Sequence, residues 1–554
     1  MGMSRMPDPA RDIDGAEVEI LRARLGSVAE EMRTTLKRTA FSPVIYEVLD
    51  FGISVYDANL DLIAEAPGLA RFLGANDFAV PTVIRHVGAD TLNPGDVVVA
   101  NYPYWNAAHV SDVSLIAPVF VPGRDAPFAY LCVRAHWIDM GAKDAGYVLD
   151  STDMHQEGLI LPGLKLVKGG VPDRELFELI RFNSRMPDVL MGDIEAQLGA
   201  LKVGERRLVA LVGNFGVDRV EAGIAKLIAY GEDVARRALA DLPEGEWEAE
   251  DWMEGDGITD DPILMKVRVT HRNGRMTMDF SGSAPTAKGP VNLPLGSTMA
   301  TAKVAFKALT SPGMPTNAGH MRPLDVIAEP GTIFHAEYPA PTYTQWTGLI
   351  ALELIYAALA KGMPDRVQAS SGGDVPGFMM IGTHPDTGQP FALSNNEGVG
   401  WGATATHDGK VAGSHLTQTV VRNTPVEIME TRTAMRVERL ELRARSFGDG
   451  EYRGGPGITR DITFTAPGEF LSIAKKTLTR PWGLNGGGEP EPTRFTYFPG
   501  TDRERRIGTW RTRVEPGDRV RVETAGGAGY GDAARRDPEA DAADRADGLT
   551  EETV

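Results

Sequence analysis

The sequence predicts an α+β protein: a large, mixed, multi-layer fold with antiparallel sheets, a helical middle section and a β-rich C-terminal region. Three observations predict it. In the first third, apolar residues switch repeatedly between helical and strand spacing. Residues 174–246 read as helix almost throughout. The chain also carries 62 glycines and 37 prolines, a load that favours short strands and many turns over long bundles. Five regions follow: 1–173, α+β and holding a candidate metal site; 174–246, helical; 247–426, mixed α+β; 427–535, β-rich and dense in glycine; and 536–554, an acidic tail.

The first helix is predicted by Leu21, Leu25, Val28, Met32 and Leu36, which recur on one helical face. Asp14 and Glu17, three apart, have the spacing of a capping box. "FGISVYDANLDLIAEA" reads as a β-hairpin around Asp57-Ala58-Asn59, and "DFAVPTVIRHVG" as helix after its proline. Two further strands, "DVSLIAPVF" and "FAYLCVRAH", flank the turn at 121–127. Pairing Phe120 with Phe128 across that turn puts Asp112 opposite His136, with Cβ atoms about 4.5–5.5 Å apart. After the helices of the middle section, "DPILMKVRVTHRNGRMTMDFSGS" alternates around an Asn-Gly turn. Helix returns in "STMATAKVAFKALT" and "TQWTGLIALELIYAALAKG". Beyond Glu427 the glycine clusters "GGPG", "GGG" and "GGAGYG" read as tight β-turns. The acidic tail is expected to be exposed or frayed.

Composition narrows the function. A net charge of −19 argues against nucleic acid or an anionic membrane as the main partner, since both require clustered Lys and Arg. No apolar run is long enough to span a bilayer, and "MGMSRMPDPARDIDGAE" has no secretory core. Cys132 is the single cysteine. It cannot form an internal disulfide, which points to the cytoplasm, and its apolar strand suits a buried, inert thiol. Gly-x4-Gly-Lys-Ser/Thr and Gly-x-Ser-x-Gly are both absent, so the sequence supports neither intrinsic ATP binding nor serine hydrolysis.

The strongest chemical constellation is "NYPYWNAAHVSD", residues 101–112, taken with the following strands. His109 and Asp112 form His-x-x-Asp, and His136 ends the strand expected to face Asp112. Two imidazoles and a carboxylate suit one divalent ion such as Mn, Fe or Zn. Asp50, at the start of an apolar strand where an unpaired carboxylate is costly, is the expected fourth ligand. Spacing alone leaves a second reading open, in which His136 is a satisfied core histidine and Asp112 caps a turn. Asp139, Asp153, His155 and Glu157 are candidates for orienting the imidazoles or touching substrate; a polar surface loop would look the same.

These stretches, together with "RFNSRMPDVLMGDIEAQLGALKVGERRL", "DFSGSAPTAKGPVNLP", "RNTPVEIMETR", "RPWGLNGG" and "AGGAGYGD", resemble the hydantoinase B/oxoprolinase family over about Glu17 to Asp537. The resemblance implies a metal-containing B-type subunit that binds no ATP itself. A separate A-type subunit would use ATP to phosphorylate the substrate oxygen, in a hetero-oligomer with two copies of each. It also implies metal ligands at Asp50, His109, Asp112 and His136. The expected reaction is ring opening of a hydantoin, lactam or oxoproline-type cyclic amide. An ATP-dependent ketone carboxylase subunit of the acetone or acetophenone type is the alternative, and a non-catalytic scaffold for the A-type subunit the second. The chain departs from the family at Tyr102, at Asn106-Ala107-Ala108 and at "APGLARFLGAND", where relatives carry a histidine. Tyr102 and Trp105 are therefore expected to add bulk to the pocket wall.

Overall fold

The structure, a computed structural model, describes residues 13–550; most of the N-terminal stretch judged to lack a secretory core lies outside them. Helix α1 (Gly15–Thr39) opens on the expected capping box, with Asp14 accepting from the Glu17 N–H and Glu17 bonding back. Its Leu21, Leu25, Val28, Met32 and Leu36 are all buried. After α2 (Pro43–Tyr46), strands β1 (Phe51–Asp57) and β2 (Leu62–Ala66) form the expected hairpin. Helix α3 (Ala70–Val87) differs from expectation: it begins well before Pro81 and carries that proline inside. Phe72, Ala75, Ala79, Val83 and Ile84 are buried on both sides of Pro81, and this packing outweighs a proline cost of about 3 kcal/mol.

Strand β3 (Val97–Ala100) leads through the single turn of α4 (Pro103–Asn106) to β4 (Asp112–Val119) and β5 (Ala129–His136). Strands β4 and β5 pair antiparallel with Asp112 opposite His136, the expected register. With β6 (Pro162–Lys168) and β7 (Val171–Pro172) they complete a seven-stranded sheet in the order β2-β1-β5-β4-β3-β6-β7. Three helices follow: α5 (Arg174–Phe182), α6 (Pro187–Phe215) and α7 (Val217–Ala240). Residues of α1, α6 and α7 share a core with one face of this sheet. Val80, Val83 and Ile84 of α3 pack on the other face. Two covered faces explain why β1, β4 and β5 are nearly continuous apolar runs rather than alternating ones.

Cys132 lies in that second layer, buried, and burial pushes its thiol up to about 12. A protonated, enclosed thiol is inert. The folded protein is expected to leave it unlabelled by an aromatic disulfide reagent, with one equivalent reacting only in denaturant.

A four-stranded sheet is built from β8 (Gly245–Glu254), β9 (Pro262–Arg272) and β10 (Arg275–Asp279), with Asn273 and Gly274 both left-handed at the turn. Helices α8 (Leu295–Thr310) and α9 (Ala318–Met321) precede its last strand, β11 (Leu324–Ile327). Helix α10 (Trp346–Ala360) is apolar nearly all round and buried along its length, as a central core helix must be. Among the described residues no helix is long and apolar enough to cross a membrane.

The last third adds β12 (Gly377–Thr383), β13 (Pro390–Asn396), α11 (Val426–Arg432), β14 (Met435–Leu442), β15 (Ile458–Phe464), β16 (Gly468–Ile473), β17 (Arg494–Tyr497), β18 (Arg505–Arg506), β19 (Trp510–Val514) and β20 (Arg519–Glu523). They form two sheets, β13-β12-β16-β19 and β14-β15-β20-β17-β18. The glycine clusters here are not chiefly turns. A Cβ built on Gly527 would overlap the Trp401 carbonyl, and one on Gly454 would overlap the carbonyl of Gly527. Neither needs a left-handed φ; both let backbone lie against backbone. The tail is mostly exposed, as expected, but it is not frayed. It forms α12 (Pro538–Ala546), with Asp544 buried and bonded to Arg453 at 2.8 Å, and Leu549 accepts from the Arg445 N–H at 2.9 Å. Arg453 is largely buried and would be a costly unpaired charge without that carboxylate.

Candidate metal centre

Local sequence shapes the loop that carries His109. The side chain of Asn101 donates to the carbonyls of Val110 (2.8 Å) and Leu159 (2.9 Å) and accepts from the Leu161 N–H. Asn106 donates to the Asp112 carbonyl at 2.6 Å and accepts from Ser114 and from the buried Arg134. Ala107 takes the left-handed conformation, φ 56°, and turns the chain toward β4. The two asparagines of "NYPYWNAAHVSD" thus add side-chain bonds to those the loop's own backbone makes.

The pinned loop brings three side chains together. His109 Nε2 lies 2.9 Å and His136 Nδ1 3.0 Å from the same atom, Asp112 Oδ1. The two imidazole centroids are 5.0 Å apart. One donor atom from each of the three residues lies within 4.8 Å of the others. Two donors each 2.0–2.2 Å from one ion and at right angles to each other stand about 3 Å apart, so the spacing fits a shared cation. Asp50 lies beside them: the His136 N–H donates to its carbonyl at 3.2 Å. Its carboxylate lines the same cavity but stands outside the close trio.

Burial sets the electrostatics. It lowers the basicity of His109 and pushes the Asp50 carboxyl up to about 7. Burial alone would lower His136 and raise Asp112, but their partners win: Asp112 raises the His136 imidazole, while His109 first and then His136 hold the Asp112 carboxyl below the usual range. Two buried atoms of the cluster, Asp50 Oδ1 and His109 Nδ1, have no hydrogen-bond partner. Buried polar atoms are rarely left bare, and a carboxylate with two neutral imidazoles is a donor set that Mn, Fe or Zn accepts. The residues fit a divalent ion.

The surrounding cavity, about 100 Å³, is several times the space one water needs. Val44, Leu69, Phe72, Ile138 and Trp346 are among its apolar walls. Tyr343 stacks edge-on to His109 at 4.9 Å and Tyr147 packs on Tyr343 at 5.0 Å. The Tyr343 hydroxyl donates to the Gly146 carbonyl and lies 2.9 Å from Ser111 Oγ.

Several expected neighbours lie elsewhere. Tyr102 and Trp105 do not line this cavity. They pack on each other at 4.8 Å, and Trp105 covers His86 at 4.1 Å, because the turn of α4 points them at α3. Asp139 is spent on the backbone and guanidinium of Arg185. Asp153 and His155 are exposed and pair with each other at 2.7 Å. Glu157 acts at one remove: buried, it accepts from the N–H groups of Thr342 (2.8 Å) and Tyr343 (2.9 Å) and so sets the ring that covers His109. The sequence reading missed Arg71, Tyr147, Tyr343, Gln345 and Trp346, all lining the cavity or stacked on its histidine. Only Arg71 left a trace, as a lone charge within "GLARFLG".

Comparison with known proteins agrees along the whole chain. Residues 14–533 match the family model described as hydantoinase B/oxoprolinase. The B component of a putative D-/L-hydantoinase from Pseudomonas sp. (strain NS671) is 28% identical, over 99% of this chain and 95% of its own. A 5-oxoprolinase of Pestalotiopsis fici is 30% identical over 99% of this chain, which spans 43% of that protein. The crystal structure of the ATP-dependent caprolactamase from Pseudomonas jessenii superposes with a TM-score of 0.89 at 26% identity, covering 97% of this chain and 95% of that one.

Proposed function

The chain belongs to the hydantoinase B/oxoprolinase family, and from that premise we propose that it is the metal-containing subunit of an ATP-dependent cyclic-amide hydrolase. Its substrate would be a hydantoin, lactam or oxoproline-type ring whose carbonyl oxygen a separate, ATP-binding A-type subunit has phosphorylated. The relatives support this division. The hydantoinase relative and a caprolactamase relative are each named as one subunit of a larger enzyme, while the 5-oxoprolinase is more than twice as long as this chain. We place the pair in the cytoplasm, as a hetero-oligomer with two copies of each subunit.

One observation carries the reading: His109, Asp112 and His136 converge within 4.8 Å beside a cavity into which Asp50 presents an unpartnered oxygen. These four residues would hold one Mn, Zn or Fe ion. Such an ion supplies Lewis acidity and lowers the pKa of water toward about 7. The chain's own groups do the rest. Asp112 gathers the two ring nitrogens around one oxygen, the tyrosine pair fixes the face of His109, and the apolar wall limits stray water. Addition of water at the activated carbon would give a tetrahedral adduct that breaks its ring C–N bond, the nitrogen taking a proton and leaving as the amine, and a second water would then release phosphate from the resulting acyl phosphate.

The test is co-purification with the A-type subunit, followed by phosphate release against hydantoins, lactams and aryl ketones. Turnover of a cyclic amide supports the proposal. Turnover of a ketone with carbonate replaces it with the carboxylase reading, and full activity of a metal-free complex replaces it with the scaffold reading. Asn106→Ala removes the clamp on the His109 loop without touching a ligand. It is expected to weaken metal binding about 10–100-fold in a chelator competition; unchanged affinity would show that the clamp does not position the site.

A further inference from the structure

The polar side of the cavity holds a group the metal reading does not use. Arg71 sits in the first turn of α3, between Ala70 and Phe72, and faces the same space as the histidine cluster. Its guanidinium makes one hydrogen bond, from Nη2 to Gln345 Oε1 at 2.6 Å. Its Nε is buried and has no partner. Gln345, just before α10, is held left-handed at φ 48°. Its Oε1 takes both Arg71 and the Ser297 hydroxyl at 3.1 Å, which fixes the amide orientation and leaves Nε2 buried without an acceptor. Two donors, one of them cationic, therefore line one small cavity with nothing to receive them. Asp112 and Asp50 act on the guanidinium only through space, with no carboxylate bonded to it among the described residues, and a planar fork of N–H groups is the usual receiver of carboxylate or phosphate oxygens.

We propose that Arg71 and Gln345 form an oxyanion clamp, which selects substrate by an acidic oxygen group: a carboxylate on the ring or the phosphoryl group of its activated form. This rests on the metal reading, because a bound cation takes up the charge of Asp50 and Asp112 and leaves Arg71 to attract an anion. Arg71 is then a specificity-determining residue.

The test uses the purified full chain, titrated calorimetrically with Mn(II) and then with three probes. 5-Oxoproline is a lactam with a carboxylate, 2-pyrrolidinone is the same ring without it, and inorganic phosphate stands for the phosphoryl group. In Arg71→Met, affinity for one of the two anions is expected to fall at least about tenfold, with partial recovery in Arg71→Lys and 2-pyrrolidinone unchanged. Loss of the 5-oxoproline advantage assigns the clamp to a ring carboxylate; loss of phosphate binding assigns it to the phosphoryl group. Wild type binding neither anion, or Arg71→Met binding both within twofold, overturns the proposal. Mn(II) uptake is read separately in the same titrations: anion loss without it would sink the metal reading alone, and uptake with unchanged anion binding would sink this one alone.

Discussion

Asp112→Asn is expected to cost the protein its metal and its turnover together. The substitution keeps size and shape, but the shared oxygen that lies 2.9 Å and 3.0 Å from two imidazoles loses its charge. Groups that only orient a ligand are worth about 10–100-fold in metal affinity; a charged ligand should exceed that, so a loss beyond about 100-fold is predicted by chelator competition. Losing the ion removes several kcal/mol of transition-state stabilisation, which corresponds to a fall of about a thousandfold or more in kcat/KM with the partner subunit present. The metal-free variant should fold like the parent, because the isosteric amide can still occupy its place at the start of β4. Metal affinity within threefold of wild type would show that Asp112 is a structural acceptor between two histidines and nothing more.

The Asp112–His136 pair was legible because it depends on local facts. Two strands joined by a short turn have one register that keeps their apolar residues matched, and that register faces these residues across the ladder. Asp50, a carboxylate entering a strand with no polar neighbours, was legible as a resident of the cavity wall, though it stands outside the close trio. What the sequence hid comes from distance and from direction. Tyr343, Gln345 and Trp346 reach the cavity on the segment that enters α10, which bonds Tyr343 to Ser111 and Gln345 to Arg71, contacts between residues more than two hundred positions apart that no periodicity records. Tyr102 and Trp105 sit beside His109 in the chain, yet one helical turn takes them away from the cavity, Trp105 onto His86 near the far end of α3; adjacency in sequence says nothing about direction. The proline in α3 and the ordered tail were misread alike, through local propensity overridden by burial and by the buried Arg453–Asp544 pair.

The glycine clusters carry the second large prediction. Gly527→Ala should prevent stable folding. The added methyl would fall on the Trp401 carbonyl and crowd the Gly402 nitrogen, both backbone atoms; the Gly455 N–H holds the Trp401 carbonyl at 2.9 Å, and the Gly527 N–H donates to the Gly455 carbonyl at 2.8 Å. Overpacking that flexible side chains can relieve costs about 1–3 kcal/mol. Here the backbone itself must move across three packed segments, so a loss above about 4 kcal/mol is expected, in the exceptional range for a single substitution. Soluble yield should collapse, with any remainder unfolding far below the parent. Ala528→Gly, one residue on, is the control and should remain soluble. A Gly527→Ala protein with the parent's melting temperature would mean that these strands do not lie in contact as described.

The central claim is that one cation sits among His109, Asp112 and His136. Anomalous diffraction from crystals of the protein loaded with Mn or Zn, collected on both sides of the metal edge, tests it most directly. The account predicts one strong peak about 2.0–2.2 Å from His109 Nε2, Asp112 Oδ1 and His136 Nδ1, with the Asp50 carboxylate turned toward it. Loaded crystals with no peak at that position, or with the ion bound elsewhere while these three side chains remain bonded to one another, would contradict it.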